Sequence, residues 1–148
     1  MCAYSDSCIS VTTMTIVQVS YMRLQPEQCA MMTIFDWVRL VGLQHIIWHT
    51  ANERRCSMQY GAMLKRMGVI AGVSDITVAR PAGKYHGAFI EVKVGKNKAT
   101  TSQLAFLEAM NNEGYFTKVC YGVNETINTI QSYLNHQGIS ESTKGSSA

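Results

Sequence analysis

The sequence predicts a single α/β domain in which helices pack on a mixed β-sheet. Apolar residues recur at helical spacing in four segments, and four short runs rich in β-branched and aromatic residues lie between them. The predicted order is αβαββαβα without an internal repeat, a pattern for helices layered on a sheet rather than for a bundle or a sandwich. With 148 residues, 47% of them hydrophobic and 16% charged, the chain is long enough for one sizeable core.

The first helix is predicted from Pro26. Proline suits a first-turn position, Glu27 sits near the positive helix end, and Met31, Ile34, Val38 and Val41 follow at helical spacing until Gly42 stops the run. His45 to Thr50 reads as a short strand with Ile46 and Trp48 on one face, and the polar loop Ala51-Asn52-Glu53-Arg54-Arg55 follows it. A second helix is expected over Ser57 to Met67, weakened by Gly61 and closed by Gly68. Ile76 to Ala79, the turn Pro81-Ala82-Gly83-Lys84, and Ala88 to Val94 read as two strands of a hairpin. After the loop Gly95-Lys96-Asn97-Lys98, any of Thr100, Thr101 or Ser102 can cap a third helix that uses Leu104, Leu107 and Met110 and ends at Gly114. Tyr115 to Tyr121 is a further strand. Asn124 is expected to cap a last helix with Ile127, Ile130 and Leu134 on one face. Met31, Met63, Met67 and Met110 are read as core fillers.

The two ends read differently. Residues 1–24 form an extension before the domain at 25–137; within it Val11 to Val19 alternates weakly, as an extra strand or a leader would, and Met22 could be a second start. Residues 138–148 are rich in Ser, Gly and Thr, the composition of a flexible tail. No apolar run reaches membrane-spanning length, and the N-terminus lacks the basic start and apolar stretch of a signal peptide. The cytoplasm is therefore the expected location. The five cysteines (Cys2, Cys8, Cys29, Cys56 and Cys120) are scattered and lack C-x-x-C spacing, which argues for reduced thiols over a disulfide frame or a zinc site.

The most informative residues are Asp75 and the run Ile90-Glu91-Val92-Lys93. Strand alternation puts Glu91 and Lys93 on one face and Ile90, Val92 and Val94 on the other. The predicted hairpin brings Asp75 near Glu91. A carboxylate and an ammonium on so apolar a strand are costly to bury unless used. Two carboxylates with a lysine beside them suit a divalent metal and phosphodiester cleavage; the plainer alternative is a solvated strand face with Asp75 at a strand start. Charge placement favours the first. Nine of the thirteen Lys/Arg fall between Arg54 and Lys98, and the only acids there are Asp75 and Glu91. A basic field around an acidic pair suits a phosphate-backbone partner with a bound metal, with Arg54, Arg55, Lys96 and Lys98 as candidate DNA contacts.

These residues stand in a longer pattern: His49-x-Ala51-Asn52-Glu53, Gly61-x-x-Leu64-Lys65-x-Met67-Gly68-x-x-Ala71-Gly72-Val73-Ser74-Asp75, Gly87-x-x-Ile90-Glu91-Val92-Lys93, Thr101-x-Gln103 and Gly114-Tyr115. The pattern resembles the virus-type replication–repair nuclease (VRR-NUC) domain of the PD-(D/E)xK, restriction-endonuclease-like superfamily over about residues 25–135. The chain's size is similar to that of the stand-alone domains of phage genomes. Ser74 departs from the proline in the superfamily's name, at a position that shapes a turn and ligates nothing.

The resemblance implies that Asp75 and Glu91 hold Mg²⁺ or Mn²⁺ with the Val92 carbonyl as a third oxygen, and hard oxygen ligands without a His/Cys set agree with that metal class. It implies that Lys93 orients water or stabilises charge on the phosphate. Gln103 matches the family's glutamine, although an ordinary first-turn residue would look the same. Glu27 matches the acid that members often add from the first helix, with helix-start preference as the alternative, and Glu53 competes for the same role. His49 reads more simply as a satisfied histidine than as a catalytic base. The implied activity is metal-dependent, structure-selective DNA endonuclease, acting on four-way junctions as a homodimer like stand-alone viral members or on flaps like the large multidomain ones. The alternatives are a non-catalytic DNA-binding module on the same fold, which usually lacks one of the three residues kept here, and a sequence-specific restriction enzyme, which would need a base-reading element not visible in the chain.

Overall fold

The computed structural model describes residues 24–50 and 57–135. The elements run α1 (Pro26–Leu40), β1 (Ile47–His49), α2 (Met58–Arg66), β2 (Ile76–Val78), β3 (Ala88–Lys93), α3 (Thr101–Asn112), β4 (Phe116–Tyr121) and α4 (Gly122–Asn135). The sheet order is β1-β2-β3-β4. Both pairs among the first three strands are antiparallel, whereas β3 and β4 run parallel with α3 as the crossover. The expected mixed sheet and element order are therefore present. Among the described residues no helix is long and apolar enough to cross a membrane.

Alternation along β3 sorts the molecule into three layers. Ala88, Ile90 and Val92 face a core shared with Ile76 and Val78 of β2, Cys120 of β4, Ile34 and Val38 of α1, and Ile130 and Tyr133 of α4. Phe89 and Glu91 face the other way, toward α3. The Phe89 ring meets Phe106 edge-on at 5.3 Å between centroids and Tyr115 at 5.1 Å, so α3 packs across that side of the sheet. A one-residue register slip would send Glu91 into the α1–α4 core and Ile90 out of it.

The turn between β2 and β3 is closed by reciprocal bonds of 3.1 Å between Ala82 and Tyr85, with Gly83 at φ +56. Tyr133 locks this corner from α4 by donating its hydroxyl to the Arg80 carbonyl at 2.6 Å. Of the three capping candidates for α3, Thr100 takes the role: its hydroxyl accepts from the Gln103 N–H at 3.3 Å, and the Gln103 side-chain oxygen accepts from the Thr100 N–H at 2.8 Å.

Three sequence expectations are corrected. The last helix starts at Gly122, with Asn124 exposed inside it; Glu125 serves the start instead, accepting the Tyr121 N–H at 3.0 Å. Met63 and Met67 are not core fillers. They are 46% and 70% exposed, because α2 buries none of its residues. The strand at 45–50 shrinks to Ile47–His49, since Ile46 and Ile47 both donate to the Leu43 carbonyl at 3.0 Å in a turn, and Ile47 is the residue that enters the core. Residues 1–23, 51–56 and 136–148 lie outside the described residues, and with them the expected N-terminal strand or leader, the tail, Glu53, Arg54 and Arg55.

Candidate functional site

Asp75 is fixed from both ends of the residue. Its carbonyl accepts the Thr50 N–H at 2.9 Å and lies 2.8 Å from His49 Nδ1. Its carboxylate oxygen Oδ2 accepts the Val92 N–H at 2.9 Å. The pairing Ile76↔Ile90, extended by one residue, sets Asp75 opposite Glu91 on the face turned toward α3. The turn before it needs Gly72 for two reasons. Its φ is +83, and a Cβ there would stand 2.6 Å from the Ser102 backbone and 2.9 Å from the Gln103 nitrogen. Close approach at Gly72 thus seats the turn that carries Asp75 against the helix start that carries Gln103. Ser74 is buried, and its hydroxyl donates to the Ile76 carbonyl at 3.4 Å.

Glu91 is fully buried. Its Oε1 accepts from Lys93 Nζ at 2.8 Å and from Gln103 Nε2 at 2.5 Å. Its other oxygen, Oε2, is buried with no hydrogen-bond partner. Burial pushes the Glu91 pKa up to about 7; the Lys93 ammonium opposes the rise, and the neighbouring Asp75 carboxylate adds to it. Gln103 is thus both a helix cap and a Glu91 partner: its amide oxygen serves Thr100 and its amide nitrogen serves Glu91.

Asp75, Lys93 and Val92 line a cleft of about 480 Å³ together with Glu27, Gln28, Met31, His49 and Asn97. Glu27 sits on the rim, where its Oε1 accepts the Asn97 amide at 2.8 Å. Lys96 and Lys98 flank Asn97 in the loop after β3, and both are exposed. The structure therefore brings Asp75, Glu91, Lys93, Gln103 and Val92 together, with Glu27 across the same cleft.

The residues present fit a hard divalent cation. A buried carboxylate oxygen without a partner is costly, and a cation beside it would remove that cost. The donors are oxygens throughout. In an extended strand the N–H and C=O of one residue point to the same edge, so the Val92 carbonyl shares the edge on which its N–H meets Asp75. Among the described residues no group of three His, Cys, Asp or Glu side chains is placed to hold a metal. Two carboxylates with a backbone carbonyl is a donor set that Mg²⁺ completes with water and substrate phosphate.

The model of the VRR-NUC domain matches residues 33–124, well over half of the chain. The chain belongs to the VRR-NUC family. A solved structure described as a VRR_NUC domain protein superposes with a TM-score of 0.66 at 28% sequence identity, covering 77% of this chain and 92% of that one. No match is found among curated proteins. The fold is accordingly restriction-endonuclease-like, and VRR-NUC membership makes the chain a nuclease-type, DNA-processing domain. The family match takes in Asp75, Glu91, Lys93 and Gln103 but starts after Glu27.

The contacts of two cleft residues of this VRR-NUC domain escape a reading of the sequence. Asn97 reads only as part of a basic loop, and no local signal could pair it with Glu27, 70 positions earlier. His49 stands ahead of Asn52-Glu53 in the family pattern, but its bond to the Asp75 carbonyl depends on the β1–β2 register.

Proposed function

We propose that this VRR-NUC domain is a metal-dependent, structure-selective DNA endonuclease that hydrolyses phosphodiester bonds of branched DNA, four-way junctions first, as a homodimer in the cytoplasm. One observation carries the proposal: Glu91, fully buried, holds Lys93 and Gln103 on one oxygen and leaves the other free beside Asp75. Burying that carboxylate is costly for a structural residue and is explained by a ligand set for Mg²⁺ or Mn²⁺. Asp75, Glu91 and the Val92 carbonyl would hold the ion, with Glu27 facing the same cleft. The ion would supply charge neutralisation at the phosphate and a lowered pKa for water.

The chain's own residues supply the rest. Lys93 is oriented by Glu91 and is 15% exposed, enough for its ammonium to meet a phosphate oxygen in the cleft. Gln103 holds the Glu91 carboxylate in place from the start of α3. Lys96 and Lys98 carry positive charge in the loop that brings Asn97 to the cleft, and Arg54 and Arg55 are further candidate phosphate contacts. A two-fold dimer would present two such clefts to the two related strands of a junction.

The deciding experiment incubates labelled junction, flap and linear duplex DNA with the protein plus Mg²⁺, Mn²⁺ or EDTA. Junction cleavage that EDTA abolishes, by a species of twice the monomer mass in light scattering, is the expected result. Binding without cleavage in any metal would make the chain a DNA-binding module, and flap cleavage by a monomer would place it with the flap-cutting members.

A further inference from the structure

His49 is an exposed cleft residue with one ring nitrogen committed. Nδ1 lies 2.8 Å from the Asp75 carbonyl oxygen. A carbonyl only accepts, so Nδ1 carries the N–H, and the neutral ring then has its lone pair on Nε2. That pin does little for Asp75, whose carbonyl already receives the Thr50 N–H at 2.9 Å. The unexplained part of this cleft-lining residue is its other ring nitrogen.

From this geometry we infer that His49 holds the attacking water through Nε2. The inference rests on the proposed phosphodiester hydrolysis. In that reaction water is the component that must shed a proton, while the diester itself carries none to donate. As the water oxygen bonds to phosphorus and the P–O3′ bond breaks, its electron pair goes to O3′, which takes a proton from solvent; the proton lost by water passes to solvent. Aligning the water requires a hydrogen-bond acceptor in the cleft. Lys93, as an ammonium, has donors only. Glu91 Oε1 already accepts from Lys93 and Gln103, and Asp75 Oδ2 from Val92. Their other oxygens, Glu91 Oε2 and Asp75 Oδ1, are the ones proposed for the metal, which leaves His49 Nε2 and the second oxygen of Glu27 as acceptors for water in the cleft. Glu27 gives one oxygen to Asn97, and the resemblance places it on the metal side.

Two amide variants separate the two nitrogens. The side-chain nitrogen of His49→Asn stands where Nδ1 does and keeps the bond to Asp75, but nothing reaches the Nε2 position. His49→Gln reaches that position. Single-turnover cleavage, Mn²⁺ affinity, DNA affinity and melting temperature are compared with wild type. His49→Asn is expected to keep the last three and to slow cleavage by about a hundredfold, the scale of a misplaced reactant, with partial recovery in His49→Gln. His49→Asn cleaving within twofold of wild type overturns the inference, as does a loss matched by falling metal affinity or melting temperature. Glu27→Gln with full loss beside an active His49→Asn assigns the water to Glu27 instead. Wild-type protein that cleaves no DNA with either metal overturns the nuclease reading and His49's role with it, an outcome distinct from an active wild type with an indifferent His49→Asn.

Discussion

The Asp75 carboxylate accepts the backbone N–H of Val92 at 2.9 Å, so the first acid of the motif is tied to the residue directly after the second. A backbone bond thereby fixes the Asp75 end of the pair, while the Glu91 end is held by Lys93 and Gln103 on its Oε1.

Asp75→Asn and Glu91→Gln should each lower metal-dependent cleavage by roughly a hundred- to thousandfold or more, the scale of several kcal/mol of charge stabilisation. Both amides keep the size of the acid. Asp75→Asn can still accept from Val92 through its amide oxygen, so its melting temperature should stay near wild type. Junction cleavage at near-normal rate by either variant would remove that residue from the ligand set.

Lys93→Met should abolish turnover and keep Mn²⁺ binding above neutral pH, because the ammonium touches Glu91 without being a ligand. Its removal takes away the charge that holds the Glu91 pKa down, so Mn²⁺ affinity should drop near neutral pH and return above it. Calorimetry at two pH values checks both halves. Persistent loss of Mn²⁺ binding at the higher pH would mean that Lys93 organises the site itself.

The metal-free protein should lose stability as pH rises. The folded-state pKa of Glu91 is raised from 4.5 to about 7, chiefly by burial. Between those values the folded state binds the extra proton, so the associated stability is full below 4.5 and is lost on passing 7. Melting curves in EDTA should fall across that window, Glu91→Gln should flatten the slope, and Mn²⁺ should restore stability at the upper end. A rising curve in EDTA would contradict the burial of an ionisable, unliganded Glu91.

Gly72→Ala should destabilise the domain by about 1–3 kcal/mol, since it combines a strained positive φ with an approach of 2.6 Å to the Ser102 backbone. The displaced helix start would carry Gln103 away from Glu91, so cleavage should fall even below the melting transition. A variant that melts like wild type would show that the Gly72 turn moves aside freely.

Neutralising Lys96 and Lys98 should weaken DNA binding and reduce its salt dependence by about 0.9 log unit of slope for each phosphate no longer neutralised. Titration at several salt concentrations measures it. A slope unchanged from wild type would place the DNA backbone elsewhere.

The element order, the hairpin that joins Asp75 to Glu91 and the face shared by Glu91 and Lys93 were legible in the sequence. They rest on local rules: alternation along a strand, turn residues at Pro81 to Lys84, and apolar spacing along α1 and α3. The expectation for α2 failed for the opposite reason, because Met63 and Met67 have the same spacing whether or not a sheet lies under them. Tertiary structure alone decided that Gln103, besides capping α3 locally with Thr100, meets Glu91, that Glu27 meets Asn97, and that His49 is pinned to Asp75. Each depends on the register or close approach of segments far apart in the chain, such as Gly72 against Ser102. Residue types and spacing determine which groups can do the chemistry, while side-chain partners across the fold are set by packing that no local pattern encodes.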